Sequence, residues 1–217
     1  MKPLDQCLLY GFVDTAYLRC RKASIVARQL CLGGADIIQL RAKTSTPAGI
    51  AEMAREILPI TRDAGVRLVI NDHLDVALDV GADFCHLGQE DFFDAGHTHV
   101  DEIRPAGSTI GIGLSTHAPA QAERAIKAGA DYIAIGPVYT TGTKPSAKPV
   151  TLDYVRWAAR EVQIPWFAIG GINSKTLDAV LEAGATRLCI VSAILSAEDV
   201  KGTCRGFKER IQRPLKP

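Results

Sequence analysis

The tripeptide Gly-Ala-Asp recurs along this chain and narrows the folds open to it. Gly34-Ala35-Asp36, Gly81-Ala82-Asp83 and Gly129-Ala130-Asp131 are followed by an altered fourth copy, Gly184-Ala185-Thr186. Each copy closes a stretch with helical periodicity and leads into a short apolar run. Glycine ends helices readily because, without a Cβ, it adopts the left-handed backbone free of a clash. An interval of about fifty residues holds two strand–helix units, so the copies mark every second strand of a repeating series.

The apolar runs complete that series. Residues 8–14, 36–42, 67–72, 84–88, 109–115, 132–138, 165–170 and 187–193 read as eight strands. Their near-continuous hydrophobicity suits parallel strands buried on both faces. Between them, segments such as 46–65 and 118–129 place apolar residues at three- and four-residue spacing, as amphipathic helices do. Eight strands, each followed by a helix, predict a single (β/α)8 TIM barrel over residues 1–217, with no linker or second domain. A doubly wound open sheet would share the strand–helix alternation, but the even repeat favours a closed ring. The 217 residues lie at the short end for such a barrel.

Composition excludes several functions. With a net charge of +1 and 6% aromatic residues, the chain lacks the basic surface and stacking platforms of a nucleic-acid binder. The opening MKPLDQCLLYGFVD has no secretory pattern, and no apolar run approaches membrane-spanning length. The six cysteines include no C-x-x-C pair and are expected to be reduced, mostly as small buried hydrophobes. Together these features predict a cytoplasmic protein acting on small phosphorylated molecules, with no nucleic-acid or membrane partner. Assembly into a homo-oligomer is left open.

In barrels of this kind, chemistry gathers at the C-terminal strand ends. Strand two ends Gln39-Leu40-Arg41-Ala42-Lys43, where alternation sends residues 39, 41 and 43 to one side. Arg41 and Lys43 suit an anion, the first as a rigid fork and the second as a compact charge. Strand three ends Asn71-Asp72-His73, and strand four runs into Gln89-Glu90-Asp91. Asp72 and Asp91 could share one Mg²⁺, which takes few protein carboxylates together with waters and phosphate oxygens. Glu90 is the competing carboxylate, and helix capping is the competing explanation for both aspartates.

Strand five ends Ser115-Thr116-His117; Ser115 could donate to a phosphate or cap a helix, and His117 is a candidate acid or base. The remaining histidines lack zinc-ligand spacing. After strand six, Tyr139-Thr140-Thr141-Gly142-Thr143-Lys144 forms an irregular stretch suited to closing over an anion. Strand seven ends Gly170-Gly171-Ile172-Asn173 and strand eight includes Val191-Ser192, where backbone N–H groups can approach a phosphate closely. Two anion sites emerge. One, with Arg41, Lys43, Asn71, Lys144 and Mg²⁺, suits a diphosphate; the other, with the strand seven and eight backbone, suits a monophosphate.

In order, IQLRAK, INDHLDVAL, HLGQED, GLSTH, DYIAIGPVYTTGTK, AIGGIN and VSAIL resemble the thiamine-phosphate synthase family, within the superfamily that includes thiazole tautomerases. The likeness runs over roughly residues 8–195. It implies a transferase that joins a hydroxymethylpyrimidine diphosphate to a thiazole phosphate through a dissociative, carbocation-like displacement. It also implies that the run Gln39, Leu40, Arg41, Ala42 and Lys43 contacts the pyrimidine diphosphate with Asn71, Ser115 and Lys144. Arg41, Lys43 and Lys144 would act on the leaving group, and Asp72 and Asp91 would hold Mg²⁺. Thr141, Gly142 and Thr143, with Gly171, Val191 and Ser192, would hold the thiazole phosphate. The family pattern has an acidic residue where this chain has Ala42; alternation turns that position away from 41 and 43. A thiazole tautomerase using His117, and a non-catalytic sensor of a phosphorylated ligand, are the rival functions.

Overall fold

The computed structural model describes residues 1–142 and 148–213. Eight parallel strands form a closed barrel in sequence order: β1 (Leu9–Asp14), β2 (Ile37–Arg41), β3 (Arg67–Asn71), β4 (Phe84–Gly88), β5 (Gly111–Thr116), β6 (Tyr132–Ile135), β7 (Trp166–Ile169) and β8 (Leu188–Cys189). The helices are α1 (Ala23–Leu32), α2 (Pro47–Asp63), α3 (Leu74–Val80), α4 (Gln89–Asp94), α5 (Pro119–Lys127), α6 (Thr151–Glu161), α7 (Leu177–Glu182), α8 (Ser192–Leu195) and α9 (Val200–Gln212). Among the described residues no helix is long and apolar enough to cross a membrane.

The predicted strand four coincides with the observed one, but strands six and eight are shorter than expected. β6 stops at Ile135 because Pro137, which has no N–H, cannot extend the ladder. β8 stops at Cys189 because the chain turns at Val191 and Ser192 opens α8. All six cysteines are free; Cys20 is exposed and Cys31 partly so, against the expectation of burial.

The tripeptide repeat works at the base of the barrel. Gly34, Gly81, Gly129 and Gly184 all have positive φ. Each following aspartate fastens the start of the strand before it. Asp36 Oδ2 accepts the Leu8 and Leu9 N–H groups (2.8 and 3.0 Å), Asp83 Oδ2 accepts Leu68 N–H (2.8 Å), and Asp131 Oδ2 accepts Ile112 N–H (2.6 Å). Cations neutralise each carboxylate: Lys2 and the buried Lys208 at Asp36, Arg67 at Asp83 and Arg104 at Asp131. Thr186 in the fourth copy has no carboxylate.

The barrel interior is filled by rings set against glycines. A Cβ on Gly113 would stand 2.1 Å from the Tyr132 ring, and one on Gly111 2.2 Å from Phe84. Tyr10 and Tyr132 each meet Phe167 edge to face, with centroids 5.3 and 5.7 Å apart. These rings pack the lower barrel, while its upper end opens into a cavity.

Candidate active site at the barrel mouth

A cavity of about 290 Å³ opens at the C-terminal end of the strands. Its wall includes Gln39, Arg41, Lys43, Asn71, Asp72, Asp91, Ser115, His117, Thr141, Gly171, Val191 and Ser192. The strand ends thus bring together most of the residues singled out in the sequence. Leu40 and Ala42 are buried in the core, as alternation requires, and do not face the cavity. Gly142 lies beside the mouth but not on the wall. Thr143 and Lys144 lie outside the described residues.

The residues expected to form the first anion site are held by two ion pairs. Arg41 Nη1 lies 2.8 Å from Asp14 Oδ2, and Lys43 Nζ is paired with Asp72 Oδ2. Asp14 is buried at the end of β1, directly opposite Arg41 in the β1–β2 register. Neither Asp72 nor Asp91 caps a helix through its side chain. His73, without a side-chain cap, precedes α3, and Asp91 lies inside α4. Asp72 instead has φ of 65°, a conformation disfavoured for a residue with a Cβ. Such strain concentrates at functional positions. Gly88 makes room for Asp91: a Cβ there would fall 2.5 Å from Asp91 Oδ2.

These carboxylates suit one hard divalent cation. They supply oxygen donors from neighbouring strand ends to one cavity, and among the described residues no group of three or more His, Cys, Asp or Glu forms a cage. Mg²⁺ accepts such a sparse set because it keeps waters and substrate oxygens as its other ligands.

Beneath the anion site runs a buried polar chain that the sequence did not disclose. Gln39 Nε2 donates to Tyr10 Oη (2.6 Å), Tyr10 and Tyr132 hydroxyls are 3.0 Å apart, and Tyr132 Oη lies 3.0 Å from His86 Nδ1. The amide N–H of Gln39 can only donate, so the Tyr10 hydroxyl oxygen accepts there, and the Tyr132 hydroxyl links Tyr10 to His86. Burial pushes the His86 imidazole down to about 4 and raises both tyrosines, which keeps every member neutral.

The His117 Nδ1–H donates to the Gly136 carbonyl, which can only accept. Glu90 Oε1 stands 3.8 Å from His117 Nε2. The Ser115 hydroxyl donates weakly to the Leu87 carbonyl at 3.4 Å and caps no helix.

The region expected to form the second anion site is a glycine seam. Gly170 and Gly171 have φ of 104° and 66°. Cβ atoms on them would lie 2.4 Å from Pro137 Cα and 2.7 Å from Tyr139 Cβ, and one on Gly136 would lie 2.2 Å from the Ile169 carbonyl oxygen. The seam lets the loops after β6 and β7 touch backbone to backbone, joined by Val138 N–H to Ile169 O (2.8 Å) and Tyr139 N–H to Gly170 O (3.0 Å). Opposite, Val191 and Ser192 begin α8 beside the cavity.

Comparison with known proteins agrees with this geometry. The family described as thiamine monophosphate synthase matches residues 9–194. A thiamine-phosphate synthase of Halalkalibacterium halodurans is 42% identical over 94% of this chain and 95% of its own. One of Thermus thermophilus is 43% identical over 82% of this chain and 84% of its own. A thiamine phosphate pyrophosphorylase structure from Pyrococcus furiosus superposes with a TM-score of 0.81 and 29% identity, covering 97% of this chain and 99% of that one.

Proposed function

Because this chain belongs to the thiamine monophosphate synthase family, we propose that its barrel mouth joins a hydroxymethylpyrimidine diphosphate to a thiazole phosphate, as a transferase of thiamine biosynthesis. One observation carries the assignment to this site. A single cavity holds a paired arginine and lysine with two carboxylates on one side, and a glycine-lined seam on the other. A diphosphate suits the first and a monophosphate the second.

In this reading the methylene–oxygen bond of the pyrimidine breaks, and its electron pair leaves with the diphosphate. The thiazole nitrogen then forms the new carbon–nitrogen bond with its lone pair. No protein nucleophile is needed. Arg41 and Lys43 stabilise negative charge as it builds on the departing diphosphate, with Asn71, Ser115 and Lys144 as further contacts. Gln39 and His86 form a polar floor suited to the nitrogens of an aminopyrimidine. Thr141, Gly142 and Thr143, with Gly171, Val191 and Ser192, seat the thiazole phosphate. Holding both substrates in one pocket removes much of the entropic cost of their encounter.

Asp72 and Asp91 would hold Mg²⁺, which when bound supplies positive charge at the diphosphate. The substrates are small phosphorylated molecules, and we place the reaction in the cytoplasm. Incubating the purified protein with both substrates and Mg²⁺ tests the proposal. Release of diphosphate together with thiamine phosphate is expected; no release from a folded protein would overturn it.

A further inference from the structure

Asp14 is an acidic residue at an anion-binding site, and electrostatics alone gives it no reason to be there. It is 1% exposed, and its two oxygens have different partners. Oδ2 holds Arg41 Nη1 at 2.8 Å. Oδ1 accepts the Ala16 N–H at 3.0 Å and so caps the 3-10 turn Thr15–Tyr17. That turn is itself pinned. Arg21 Nη2 donates to the Tyr17 carbonyl (2.8 Å) and to the Leu195 carbonyl (2.7 Å), tying the loop after β1 to the far end of α8. Across the mouth, Tyr17 Oη lies 3.6 Å from where a Cβ on Gly142 would stand. The carboxylate is thus bolted to the Thr15–Tyr17 turn through one oxygen and holds the Arg41 guanidinium through the other.

Resting on the assignment of Arg41 to the diphosphate, we infer that Asp14 is a positioning residue for the displacement. It aims the Arg41 guanidinium at the leaving group and does not bind substrate itself. The pairing lowers the net positive charge at the mouth, which weakens simple attraction for a diphosphate. It removes rotamer freedom from Arg41 before the substrate arrives. That trade favours the transition state, where donors must already point at developing charge, over ground-state binding.

This predicts an unusual kinetic pattern. Asp14→Asn keeps an amide oxygen for the Ala16 N–H and leaves Arg41 charged at the cavity wall. The kcat should fall about tenfold. The KM for the pyrimidine diphosphate should stay unchanged or drop, because the site gains one net positive charge. Arg41→Gln should instead raise that KM and lower kcat. In the Arg41→Gln background, Asp14→Asn should cost nothing further in kcat, since its effect is transmitted through Arg41.

The inference falls if Asp14→Asn raises the pyrimidine diphosphate KM with kcat intact, or costs as much in the Arg41→Gln background as alone. If Arg41→Gln raises the KM but Asp14→Asn changes neither constant, only the inference fails. If Arg41→Gln leaves that KM unchanged, the diphosphate assignment of Arg41 fails and takes the inference with it. Should Asp14→Asn not fold, Asp14→Glu reads the same split, because it keeps the charge and displaces the guanidinium.

Discussion

Lys43 and Asp72 form an ion pair between the ends of β2 and β3, so the lysine rests on the same carboxylate that the proposed Mg²⁺ would use. With Mg²⁺ bound, the two cations would compete for one set of oxygens. The pair is partly solvent-exposed, with side-chain accessibilities of 52% and 30%, so the competition is modest. Lys43→Gln should therefore tighten divalent-ion binding by a few-fold while weakening diphosphate binding. Mn²⁺ titration followed by electron paramagnetic resonance, without substrate, measures the first effect. Weaker metal binding would show that Lys43 does not share Asp72 with the ion.

Asp72 combines two properties that substitution can separate. Its φ of 65° strains any residue with a Cβ, and its carboxylate faces the cavity. Both Asp72→Ala and Asp72→Gly should lower kcat at least about 100-fold, since both remove the carboxylate. Asp72→Gly should be more stable than Asp72→Ala by about 1 kcal/mol, because glycine accepts the left-handed backbone freely. Thiazole phosphate binding should survive in both. Thermal unfolding and calorimetric titration of thiazole phosphate check the pair, and equal loss of both ligands would mark Asp72 as structural.

At the other end of the barrel, Asp36 governs stability without touching the mouth. Burial works to raise its carboxyl, but Lys2, Lys208 and the Leu8 and Leu9 N–H groups outweigh burial and hold it below the usual carboxylate value. A depressed carboxyl stabilises the fold above its unfolded value and loses that contribution as pH falls through the lowered one. Asp36→Asn leaves the buried Lys208 without its charge partner and should cost about 3 kcal/mol at neutral pH. The gap between parent and variant should narrow as the medium is acidified, with kcat unchanged below the melting transition. Urea unfolding at a series of pH values gives both readings; a gap that widens in acid would contradict the charge assignment.

The glycine seam admits no side chains. Gly170→Ala places a Cβ 2.4 Å from Pro137 Cα and also meets an unfavourable φ of 104°. Backbone rather than a flexible side chain is the obstacle, so the loops after β6 and β7 must separate, at about 3 kcal/mol. The KM for thiazole phosphate should rise more than that for the pyrimidine diphosphate. Steady-state kinetics with each substrate varied in turn settles the order, and an equal rise would remove the seam from the thiazole site.

The parts of this site legible in sequence are those whose signal is local. Glycine at 34, 81, 129 and 184 announces its own backbone, and Arg41 and Lys43 at a strand end announce an anion. The polar chain from Gln39 to His86 was hidden because Tyr10 and Tyr132 are 122 residues apart and read singly as apolar core. Asp14 was hidden for a related reason. As the last residue of an apolar strand it resembles a helix cap, and only closure of β1 against β2 sets it opposite Arg41. Strand eight was overread because Ile190 and Val191 continue the apolar run after the backbone has turned toward α8.

The aspartates of the repeat also bear on how the ring is assembled. The strand-start N–H groups that Asp36, Asp83 and Asp131 accept lie only 28, 15 and 19 positions away, so each of these joins closes a short loop. Short closures cost little chain entropy and favour rapid folding. The seam between β8 and β1 has no such help. It registers only two residue pairs, follows the repeat copy that carries Thr186, and relies on contacts such as Arg187 to the Asp5 carbonyl, 182 positions apart. Those three joins can form while the chain is still emerging from the ribosome, whereas the β8–β1 seam must wait for nearly all of it. Synthesis of the last strand is therefore the event that turns a growing, open sheet into a closed ring.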